Sequence, residues 1–127
     1  MKMLAEWLDF VITTLQTWPH SHDVSVLETQ QFSAAQFALK VRAGLPDGIL
    51  QVRLYCNGEH IDYAYHVIQG ERALRWDNKE HFSMLASHPH HFHTITGEVK
   101  VSPLTGDPEQ DLPLVLDNLA QFLEDAS

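Results

Sequence analysis

Positive charge is scarce in this chain: eight Lys and Arg stand against seventeen Asp and Glu, for a formal charge of -9 at pH 7. That balance excludes broad, non-specific attraction to nucleic acid, so an RNA-directed function would need a local basic patch. Cysteine is nearly absent. Cys56 alone cannot form an internal disulfide, and its place in an apolar strand pattern reads as a small buried hydrophobe. No apolar run approaches the ~20 residues of a membrane-spanning helix. The opening MKMLAEWLDFVITTLQTW is interrupted by Glu6 and Asp9 and is followed by no small-residue cleavage site, which argues against a secretory signal. The expected location is the cytoplasm, with no membrane partner. A Gly-rich phosphate loop, HExxH, CxxC, a nucleophile elbow, internal repeats and low-complexity tracts are all lacking. What remains is 127 residues, 44% of them hydrophobic, which is enough for one core and implies a single domain over 1–127.

The apolar spacing lays out an α+β architecture. Leu4, Trp7, Leu8, Val11, Ile12, Leu15 and Trp18 recur at steps of three and four, predicting an amphipathic helix that ends before Pro19. VSVLETQQF has the character of a weak strand. In QFALKVRAG the alternation is cleaner, with Phe37, Leu39 and Val41 on one face and Lys40 and Arg42 on the other. LPDG predicts a turn in which Gly48 takes the positive backbone angle. GILQVRLYC follows with Leu50, Val52, Leu54 and Cys56 facing in, and Asn57-Gly58 marks a hairpin. HIDYAYHVIQ puts Ile61, Tyr63, Tyr65 and Val67 inward against Asp62, Ala64 and His66, and RALRWDN puts Leu74 and Trp76 inward against Arg75 and Asp77. The result is an antiparallel meander of four to five strands. Residues 79–110 read as loop apart from a short strand near EVKVS, and LPLVLDNLAQFLEDAS reads as a closing helix with Pro113 in its first turn. Both helices should cover one face of the sheet, with Leu8, Leu39, Val52, Leu54 and Leu116 fully buried.

On that facing, Lys40, Arg42, Arg53 and Arg75 lie on the uncovered side, half of all the basic residues, beside His66, Asp62 and Asp77. A solvated sheet face is often charged for solubility alone. The most unusual local feature is the run His88, Pro89, His90, His91, Phe92, His93, four of the nine histidines. In extended backbone His91 and His93 share a side, and so would His88 and His90 if Pro89 allows extension. An imidazole pair can bind a transition metal. It can also divide acid and base roles in metal-free RNA cleavage, because histidine titrates near neutrality. A third reading is a solvated loop without a role.

The order of features resembles the TumE-type toxins of prokaryotic toxin-antitoxin pairs. The matching residues are YAYH (Tyr63 to His66), RWDN (Arg75 to Asn78), His81, and PHHFH (Pro89 to His93), spanning about Phe37 to His93. Trp76 stands where tyrosine is common, and His88 where an aromatic is frequent. The resemblance implies a small cytoplasmic toxin with a helix-turn-helix antitoxin as partner, and site residues Asp77, Asn78, His81, His90, His91 and His93, with Tyr65 and His66 as strand neighbours.

Taken together, these lines describe a toxin acting on RNA as a small ribonuclease. His91 and His93 would be acid and base, Asp77 would orient an imidazole, and Arg53, Arg75, His66 and Tyr65 would contact substrate. No cofactor, or a divalent transition metal on His91, His93 and Asp77, fits this scheme; a homodimer is left open. The alternative is a non-enzymatic toxin or a metal- or anion-binding module whose histidines are structural. With the site on a solvated face, His91→Ala and Asp77→Ala would remove activity and leave the melting temperature nearly unchanged.

Overall fold

A computed structural model describes residues 2–79 and 84–125. Helix α1 (Leu4–Thr17) leads into strands β1 (His22–Gln31), β2 (Gln36–Leu45), β3 (Gly48–Asn57), β4 (His60–Gln69), β5 (Arg72–Asp77), β6 (His91–His93) and β7 (Val99–Val101), and α2 (Pro108–Asp125) closes the chain. The seven strands form one antiparallel sheet in sequence order. The meander is therefore longer than the four to five strands expected. The additional strand is β6: HFH sits in a histidine-rich stretch that reads as loop, yet Phe92 pairs with Trp76 and stacks on it at 4.7 Å.

The alternation places the core as expected. Phe37, Leu39, Val41, Leu50, Val52, Leu54, Cys56, Tyr63, Tyr65, Val67, Leu74 and Trp76 are buried in one cluster with Trp7, Val11 and Leu15 of α1 and Leu112, Val115, Leu116 and Leu119 of α2. Both helices thus pack on the same face. Leu8 is the exception to the expected core, being only partly buried. Trp7, Val11 and Leu15 follow one line at four-residue steps, and Leu8 is rotated about 100° from Trp7, toward the rim.

Two local details differ from the sequence reading. In the β2–β3 turn Asp47, not Gly48, takes the positive angle (φ 61°). Gly48 is needed for space instead, since a Cβ there would lie 2.4 Å from the Ile68 carbonyl oxygen. The closing helix starts at Pro108, before the LPL run, so Pro113 lies beyond its first turn. Asp107 caps it by accepting from the Glu109 N–H at 3.1 Å, and Pro108 takes the first position, where a missing N–H costs nothing.

Candidate functional site

The register aligns two rows of side chains across the face that the helices leave uncovered. One runs Lys40, Arg53, Ala64, Asp77, His91; the next runs Arg42, Gln51, His66, Arg75, His93. Residues paired across antiparallel strands share a face, so the basic strip and the two histidines belong to one surface. Ala64 contributes no bulk between Arg53 and Asp77. Over it lies a cleft of about 430 Å³ lined by Arg53, Tyr55, Asp62, Arg75 and Lys79 among others. A second, of about 290 Å³, is lined by His66, Glu71, Arg75, His93 and Thr94 among others, so Arg75 borders both.

Asp77 is the hub. His91 Nε2 approaches its Oδ1 at 2.6 Å, Arg75 Nε donates to its Oδ2 at 2.7 Å, the Lys79 N–H donates to Oδ1 at 3.1 Å, and His93 Nε2 lies 3.7 Å from Oδ2. Asp77 is 2% exposed and His91 1%. The pair is thus buried although it sits on the uncovered side, contrary to the solvated placement expected from alternation. His91 Nδ1 lies 3.1 Å from the Pro89 carbonyl, which can only accept. Both ring nitrogens of His91 are therefore engaged within the protein, Nδ1 with Pro89 and Nε2 with Asp77. With both nitrogens engaged, His91 presents no free ring nitrogen to a substrate. His93 is about one-third exposed.

The other candidates separate by location. Asn78 is buried; its Oδ1 accepts from the Tyr63 N–H at 3.0 Å and its Nδ2 donates to the Ile61 carbonyl at 2.8 Å, stitching the end of β5 to β4. His90 turns to the helix side, where its Nδ1 shares a hydrogen bond with the Tyr63 hydroxyl at 2.8 Å. His88 is exposed; burial first, and then the neighbouring charges of His88 and His91, lower the pKa of His90, against the opposing influence of Asp111. Tyr65 is wholly buried in the core, and its hydroxyl has no hydrogen-bond partner among the described residues. That position gives a substrate no access to it. His81 lies outside the described residues. Arg53 is exposed, and His66 and Arg75 are partly so. Burial, then the charge of Arg75, then His93 lower the pKa of His66. Burial likewise lowers that of His93, with Asp77 opposing it.

One ligand atom from each of Asp77, His91 and His93 lies within 4.8 Å of the others, the spacing of a potential metal centre. Two features oppose a cation there. The 2.6 Å His91–Asp77 contact is a hydrogen bond, shorter than the roughly 3.3 Å between ligands around a tetrahedral zinc at its usual bond lengths. The Arg75 guanidinium also already occupies Asp77 Oδ2.

The order of these parts, a tyrosine-bearing β4, Asp77-Asn78 at the end of β5 and the paired His91 and His93 on β6, coincides with a family match over residues 11–127, to the toxin TumE. The chain belongs to the toxin TumE family. No curated protein and no solved structure matches it. Among the described residues of this TumE-family chain no helix is long and apolar enough to cross a membrane. Among the described residues, sequence reasoning singled out the side chains around Asp77 but not two backbone groups, the Lys79 N–H on Asp77 and the Pro89 carbonyl on His91, which carry no side-chain signal.

Proposed function

We propose that this chain is the toxin of a toxin-antitoxin pair, active in the cytoplasm, and that it cleaves RNA without a metal on the uncovered face of its sheet. The observation that carries the reading is the row His66, Arg75, His93 beside the buried Asp77–His91 pair. Asp77 fixes the guanidinium through Nε, and the remaining N–H groups of an arginine suit a phosphate, on which charge builds during cleavage. His93 is the accessible imidazole of the β6 pair and serves in proton transfer. His91 acts through Asp77 as a positioning residue. Arg53, at the far side of the Ala64 cleft, holds a neighbouring phosphate. This local basic strip answers the objection that a chain of net charge -9 repels RNA. Family membership supports an antitoxin partner, which we take to be a small helix-turn-helix protein, and the fold serves as one domain.

A second reading draws on His90 and His91. Both are tied down, His90 by Tyr63 and His91 by Asp77 and Pro89, as anchors of a loop would be. On that view the toxin acts by binding and the histidines are structural. Incubating purified protein with total RNA, with and without chelator, separates the two. Cleavage that persists in chelator and leaves 2',3'-cyclic phosphate ends supports the metal-free reaction. Intact RNA leaves the binding reading.

A further inference from the structure

Cleavage by neighbouring 2'-hydroxyl attack needs two proton carriers on opposite sides of the phosphorus. One takes the proton of the attacking 2'-oxygen, and the other gives a proton to the departing 5'-oxygen as the phosphorus–oxygen bond breaks. His91 cannot be one of them, because both its nitrogens are engaged. His93 supplies only one.

We propose that His66, directly across Arg75 from His93 on the uncovered face, is the second proton carrier. His66 pairs with Arg75 and Arg75 pairs with His93 in adjacent ladders, so the guanidinium stands between two imidazoles. Their backbones are two strand spacings apart, roughly 10 Å, and both rings line the same cleft. A phosphate held on Arg75 has one imidazole on each side, the arrangement that in-line displacement requires. The inference rests on the ribonuclease reading and adds the residue that reading lacks.

The surroundings divide the roles. His66 meets Arg75 and His93 across the face, Gln51 from β3 and Glu71 at the cleft rim, and burial first, then Arg75 and His93, favour its neutral form. It is the base. His93 also meets Arg75 and His91, yet it alone has the Asp77 carboxylate at 3.7 Å, which favours its protonated form. It is the acid. In the balanced step His66 removes the 2'-hydroxyl proton, the 2'-oxygen bonds to phosphorus, the bond to the 5'-oxygen breaks, and His93 protonates that oxygen. The products are a 2',3'-cyclic phosphate and a 5'-hydroxyl.

The test compares wild type with His66→Ala and His66→Gln on RNA and on a uridine 3'-aryl phosphate, whose leaving group needs no acid. Both His66 variants should lose ~100 to 10,000-fold in kcat, keep RNA affinity, lose the rising acidic limb of the pH profile, and stay impaired on the aryl ester. His93→Ala should recover on that ester. Unchanged kcat in a folded His66 variant, or a defect confined to KM, overturns the proposal and leaves ribonuclease activity standing. Loss of the same limb in His81→Ala with full activity in His66→Ala overturns it also. No cleavage by wild type overturns the ribonuclease reading itself.

Discussion

His91 Nε2 and Asp77 Oδ1 lie 2.6 Å apart with both residues almost wholly buried, and the second imidazole nitrogen faces the Pro89 carbonyl. Removing one partner of a buried, hydrogen-bonded pair strands the other, at a cost of roughly 3–5 kcal/mol. His91→Ala and Asp77→Ala should therefore lose stability and activity together, with thermal midpoints many degrees below wild type by calorimetry. This reverses the expectation drawn from a solvated face. A wild-type midpoint in either variant would mean that the pair contributes little to folding.

Asn78 uses both ends of its amide on β4 backbone, at Tyr63 and Ile61. Asn78→Asp keeps the acceptor and replaces the donor that faces the Ile61 carbonyl, so it should destabilise as much as Asn78→Ala. Each buried backbone group left unsatisfied costs about 1–3 kcal/mol. Denaturant unfolding of both variants measures this; an Asn78→Asp protein as stable as wild type would show that the donor is dispensable.

Most of the sheet was legible because alternation carries it. Leu39, Val52 and Leu54 face in and Lys40, Arg53 and Arg75 face out, as the period of two requires. The approach of His91 and His93 to Asp77 followed once the β6 side chains alternated as an extended segment should. Less was legible where partners are distant in sequence or are backbone. Alternation alone gives a face but not its cover, so nothing local revealed that Asp77 and His91 are buried there. The separation of His90 from His91 depends on where β6 begins. The start of α2 was placed too late, at the apolar run, whereas Asp107 caps the helix and Pro108 opens it.

Arg53 is exposed, and no side-chain hydrogen bond or ion pair ties it among the described residues. Arg53→Ala should leave the thermal midpoint within the ~0.5 kcal/mol equivalent of a surface change while weakening single-stranded RNA binding. The slope of log affinity against log salt should fall by about 0.7, the loss of one phosphate contact. Binding titrations at several salt concentrations give that slope; an unchanged value would remove Arg53 from the RNA path.

The pH dependence follows from the directions of two shifts. Both His66 and His93 lie below the ordinary histidine value of 6.5, burial being the first cause in each case. A lowered pKa means the proton leaves at lower pH, so the base becomes competent earlier and the acid is exhausted earlier. The maximum of kcat/KM, which reports the free enzyme, should thus fall on the acidic side of 6.5. His66 faces Arg75, His93, Gln51 and Glu71, and His93 faces Arg75, His91 and Asp77. An optimum above neutrality would contradict this assignment.

The most direct test of the account is His93→Ala, measured for melting and for cleavage of RNA in chelator, beside His91→Ala. His93 is partly exposed and 3.7 Å from Asp77, so its loss should cost about 1 kcal/mol or less while cleavage falls ~100-fold or more. His91→Ala should lose both. A folded His93→Ala protein that cleaves RNA at the wild-type rate, or stays fully toxic in cells, would contradict a catalytic site on this face.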